Sequence, residues 1–172
     1  TIHTFSPIII ASVIGTVTGR ALEGNEVTFN VPVHELVHPA EIIFYLVLGM
    51  LCGIVARLFT FMYFYTQKVF EDKFKVADLY KPAIGGLMVG MISIFIPQIL
   101  GNGYDVMEQA LTGQMFWGLA FLLVFMKIMC TSITLGSGGM GGIFAPSLFI
   151  GAMLGTAFGS SMHFVFPTLS AS

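Results

Sequence analysis

Residues 135–159, LGSGGMGGIFAPSLFIGAMLGTAFG, hold eight glycines in 25 positions and no formal charge. Gly136, Gly138, Gly139, Gly141 and Gly142 come first, then Ile143, Phe144, Ala145 and Pro146, then an apolar run with small residues at Gly151, Ala152, Gly155, Ala157 and Gly159. This pattern predicts an irregular turn feeding the N-terminus of a helix. The first N–H groups of a helix have no intrahelical acceptor, and together with the helix dipole they favour an anion. The chemistry on offer is anion binding by backbone amides.

Two kinds of anion fit that chemistry, a nucleotide phosphate and a simple ion. Gly136, Gly138 and Gly141 satisfy G-x-G-x-x-G, but a dinucleotide site needs a strand before it and an acidic residue about 20 positions on. An apolar span precedes it, and no Asp or Glu occurs from Gly142 to Ser172. A phosphate-binding loop needs Lys-Ser/Thr after its glycines, where this chain has Gly-Ile-Phe-Ala. The simple-ion reading meets neither obstacle. Broken helices at membrane depth point their N-termini at anions. The lack of Lys or Arg within the stretch suits transport, which needs binding weak enough for release.

The other reactive side chains are sparse. Lys127 lies in the apolar run VFMKIMC, and Arg57 in another. A charge inside a span marks a functional site or a side chain that snorkels or pairs, and both alternatives stay open for each. His34 and His38 are four apart but flanked by Pro32 and Pro39, so no metal site is expected. Cys52 and Cys130 sit in apolar runs and read as buried small hydrophobes. The methionines read as packing. No constellation of His, Asp, Glu and Cys in the spans supports an enzyme.

The elements that must position the glycine-rich stretch are membrane-like. The chain is 56% apolar and 9% charged, with mean hydropathy +0.90. Soluble domains carry about 25% charged residues, so the solvent is lipid. A net charge of -2 gives no basis for nucleic-acid binding. Residues 5–19 form a short apolar segment, marginal as a span. Residues 20–39 are a polar connection, with an extended piece hinted at by VTFNVPV. Residues 40–66 form the longest apolar run, which as a helix exceeds the bilayer core and must tilt or protrude.

Residues 67–81 hold Lys68, Lys73, Lys75 and Lys81, which places that connection on the cytoplasmic side. Residues 82–100 make a second span, with Pro82 at the first helical position, close-approach glycines Gly85, Gly86 and Gly90, and Pro97 ending or bending it. A short helix is expected at 105–111. Residues 114–135 make a third span, with Trp117 as an interface anchor. The absence of a basic stretch before the first apolar run argues against a cleavable signal peptide, and the opening directly into a membrane-like segment suggests a piece of a longer chain. The expectation is an all-α, multi-span membrane protein with tilted and broken helices.

At GSGGMGGIFAPSLFIGAMLG the sequence resembles the CLC family of voltage-gated chloride channels and chloride/proton exchangers. The family's GxFxP motif stands as Gly142-Ile143-Phe144-Ala145-Pro146, and KIMCTSITLGSGG from Lys127 and LGNGY at 100–104 are similar to the family pattern. The resemblance implies family helices I to N, at 5–20, about 39–73, 82–99, 105–112, 114–135 and from 144. Residues 1–172 would then be part of one transmembrane domain whose start and end are missing. It implies that the amides of Ile143 and Phe144 contribute to a central chloride site and that of Ala145 to a more external one, with Gly142 and Pro146 supporting the motif. Chloride would be the transported ligand, with no cofactor and no metal.

The resemblance further implies a bilayer of the plasma or inner membrane, and a homodimer formed through residues 5–20 and missing helices. The family's GSGIP segment, its G-K/R-E-G-P segment with the gating glutamate, and its pore tyrosine do not occur. With them go the residues that separate channel from exchanger. Two other readings remain beside anion transport: a membrane protein in which the glycine-rich stretch is only a helix-packing element, and an integral membrane enzyme.

Overall fold

The computed structural model describes residues 2–24, 41–74 and 77–165. The expected extended piece within 20–39, His34 and His38 lie outside the described residues. The chain divides into two compact units, Thr1–Asn30 and Val31–Ser172.

The first unit contains α1 (Ile2–Glu23). Its apolar side chains Ile8, Ile9, Ile10, Val13, Ile14 and Val17 are all exposed. A helix with such an apolar surface is stable only in an apolar solvent or against another apolar surface.

In the second unit the order is α2 (Glu41–Asp72), α3 (Lys81–Phe95), a 3-10 turn (Pro97–Ile99), α4 (Tyr104–Leu111), α5 (Trp117–Gly136) and α6 (Phe144–Val165). The described residues form helices without strands, as backbone groups in lipid must be satisfied within their own segment. Three stretches are long and apolar enough to cross a membrane: Glu41–Asp72, Trp117–Gly136 and Phe144–Met162. At 32 residues, α2 is about 48 Å long, well beyond a core of about 30 Å.

The expected second span is shorter than its apolar run. α3 has 15 residues, about 22 Å, and falls short of the bilayer core. Pro97 has no N–H to continue the ladder, and the chain turns at Ile96 (φ -134°, ψ 77°) into the 3-10 turn. Pro82 is the second helical residue, because Lys81 already belongs to the helix. Beside it, Lys81 Nζ lies 2.7 Å from the Asp78 carboxylate.

The core forms around α5. Ala120, Leu123, Val124, Lys127, Ile128 and Thr131 follow helical spacing and are buried. Facing them from α6 are Phe149, Ile150, Met153, Leu154 and Ala157, also buried. Close approach requires glycine on both flanks of α5. A Cβ at Gly136 would stand 2.8 Å from the Gln67 backbone nitrogen on α2, and one at Gly85 on α3 would collide with Ser137 Oγ. Gly86 and Gly90 meet nothing comparable. Cys130 is buried as expected, but Cys52 is exposed. α2 buries few of its residues, Glu41, Thr66 and Phe70 among them.

Candidate anion site at the start of helix α6

Two structures within the glycine-rich stretch do different work. The first is the end of α5. The Gly139 amide donates to the Thr134 carbonyl (2.9 Å) and the Gly138 amide to that of Leu135 (3.0 Å). This pairing is a Schellman cap, and Gly138 at φ +86° supplies the left-handed residue it needs. Gly136, Gly138 and Gly139 therefore serve packing and capping.

The second begins after the cap. Among the described residues, no amide from Met140 to Ala145 donates to a backbone carbonyl. The first helical bond of α6 is from the Ser147 amide to the Ile143 carbonyl (3.0 Å), which also accepts from Ser147 Oγ (2.8 Å). Pro146, the third residue of α6, has no N–H to lose at a position where one would be orphaned. The Ile143 and Phe144 side chains are exposed and that of Ala145 is half-buried.

Gly141, Gly142, Ala145 and Pro146 wall a cleft of about 290 Å³, completed by residues that include Asn102, Lys127, Thr131 and Thr134. At about 30 Å³ per water, it suits a small ion with some hydration. Its lining holds no carboxylate, and Lys127 is its one charged residue. Ile143 and Phe144 are not among the lining residues. Of the motif, the cleft thus gathers Gly142, Ala145 and Pro146.

Lys127 is 3% exposed. Its Nζ donates to the carbonyls of Ile99 (2.9 Å) and Gly101 (2.7 Å) and lies 4.7 Å from the centre of the Phe149 ring, within cation–π range. Of the two alternatives for this lysine, it is paired inside the protein, on carbonyls and a ring. No motif in the sequence marks Ile99, Gly101 and Phe149 as its partners. The one signal was LGNGY, whose Gly101 (φ +59°) and Gly103 (φ +74°) make the turn that presents those carbonyls. Arg57 is exposed near the middle of α2. The described residues contain no group of His, Cys, Asp and Glu able to hold a metal.

The family model described as voltage gated chloride channel matches residues 1–172. The chain belongs to the voltage-gated chloride channel family. It is 41% identical over 167 residues to chloride channel protein CLC-f of Arabidopsis thaliana, covering 92% of this chain and 21% of that protein. It is 31% identical to the putative chloride channel protein ClcB-like of Ralstonia nicotianae, covering 97% of this chain and 39% of the relative. It is 37% identical over 127 residues to the H(+)/Cl(-) exchange transporter ClcA of Klebsiella pneumoniae, covering 72% of this chain and 27% of the relative. The chain spans about a fifth to two fifths of the length of these relatives. Its helices are a partial fold of this family, and the family consists of channels and transporters rather than classical enzymes.

Proposed function

We propose that the protein carrying this chain moves chloride across a membrane, and that residues 1–172 supply one wall of its ion site within a single transmembrane domain. The observation that carries this reading is the run of amides from Met140 to Ala145 without backbone acceptors, where α6 begins beside a cleft free of carboxylates. In it, the Ile143 and Phe144 amides serve the central chloride position and the Ala145 amide an outer one. Gly142 keeps side chains clear of the turn, and Pro146 sits in the first turn of α6, where no N–H is needed.

Magnitudes set the limits of this wall. A hydrogen bond to a charged group contributes about 1.5–3 kcal/mol, so two or three amides supply roughly 3–9 kcal/mol. Removing an ion from water costs at least several kcal/mol, and of order 20 kcal/mol in the idealised limit, so these amides offset it only in part. Groups from the remainder of the protein complete the cage. The exposed apolar surface of α1 supports a homodimer contact through residues 5–20, and α2, α5 and α6 support a multi-pass arrangement in the plasma or inner membrane. The bound species is chloride alone, without cofactor or metal.

Phe144→Pro tests the reading, since proline suits the first helical position yet removes one donor. In liposomes containing the full-length protein, chloride efflux should fall sharply while the variant remains monodisperse. Efflux at the wild-type rate from folded variant would rule the donor role out.

A further inference from the structure

We propose that Lys127 is a positioning residue for the anion site: it binds no ion itself, but holds the start of α6 in place through Phe149 and the 99–101 turn. The inference rests on the reading of the α6 amides given above.

Three elements meet at this one ammonium. It projects from the middle of α5, and its two hydrogen bonds end on the carbonyls of Ile99 and Gly101, 28 and 26 positions earlier in the chain. Its third neighbour is Phe149, which is fully buried, on α6. Phe149 also packs on the turn directly: a Cβ at Gly103 would stand 2.6 Å from its ring carbons. The turn, α5 and the second turn of α6 are thereby locked around a single cation.

That lock borders the cleft. Lys127, Ile99 and Gly101 line it together with Gly142, Ala145 and Pro146. Phe149 lies five residues after Phe144, so a shift of its ring moves the helix start that carries the free amides. An apolar strut could fill the same volume. It would leave two carbonyls unpaired beside an anion site, where their negative ends repel the ion. The lysine turns those carbonyls into acceptors and brings no carboxylate with it.

The test uses the purified full-length protein, with chloride binding followed by calorimetric titration and efflux from liposomes. Lys127→Met should weaken chloride binding about tenfold, the scale on which lost orienting contacts act in metal sites. Lys127→Arg should recover most of that loss. Phe149→Leu should weaken binding in the same direction, and Lys127→Met combined with Phe149→Leu should be less than additive, as expected of a coupled pair. A Lys127→Met protein that melts like wild type and binds chloride equally well overturns the proposal. If Lys127→Met does not fold, Phe149→Leu decides: unchanged affinity overturns the proposal and weakened affinity supports it. Normal binding in the Lys127 and Phe149 variants, with loss in Phe144→Pro, removes this inference alone. Normal binding in Phe144→Pro removes the underlying site.

Discussion

Lys127 Nζ stands 4.7 Å from the centre of the Phe149 ring, joining α5 to α6 beneath the turn at 99–103. A cation in the middle of an apolar helix is thus satisfied without a carboxylate. Its cost in stability is offset by two carbonyl acceptors and a ring face.

The turn depends on glycine where the ring passes. Gly103 has φ +74°, and a Cβ there would meet Phe149 Cδ2 and Cε2 at 2.6 Å. Gly103→Ala should destabilise by about 1–3 kcal/mol through overpacking, with further backbone strain. Thermal unfolding of Gly103→Ala with and without Phe149→Leu checks this. The smaller side chain should recover part of the loss, and strictly additive effects would contradict the clash.

The α2–α5 contact makes a second prediction. Gly136→Ala would place a methyl 2.8 Å from the Gln67 backbone nitrogen and 2.9 Å from Thr66 Cγ2. Backbone yields less readily than a flexible side chain, so a loss of about 1–3 kcal/mol is expected. An unchanged unfolding midpoint would show that the helices separate freely at this point.

Acid should act at the start of α3. A hydrogen bond from Lys81, and then its charge, hold the Asp78 carboxyl below its ordinary value of 3.8. A lowered folded value means that the pair contributes fully above that ordinary value and loses its contribution as pH falls through the folded one. Asp78 is fully exposed, so the effect is small. The stability gap between wild type and Asp78→Asn should be present at pH 7 and close below about pH 3.8. A gap that persists unchanged in acid would assign it to something other than the ion pair.

Bromide offers a direct view of the proposed ion. Crystals of the full-length protein soaked in bromide should show anomalous density near the amides of Ile143 and Phe144. Density confined to the protein surface would favour a stretch that serves only helix packing.

Much of this architecture was legible in the residues alone. Low charge and high hydropathy identify the solvent as lipid, and lipid admits only internally bonded helices among these segments. Proline and glycine mark the breaks. Pro97 closes α3, Gly113 (φ +72°) caps α4, and α6 starts at Phe144, the position expected from the motif. These features are local, because a missing N–H or a left-handed residue acts within one turn of itself. Local signals overestimated the second span, since hydropathy continues through Pro97 while the helix does not.

The cleft and its lysine were decided by packing. Periodicity tells which face of α5 is buried, but not that carbonyls 26 and 28 positions away would meet Lys127. Nor does it separate Gly136 and Gly139, used for packing and capping, from Gly142, which leaves open space beside the unpaired amides. Those distinctions arise only when α5, α6 and the 99–103 turn come together, because contact energy depends on distances between segments that the order of residues leaves free.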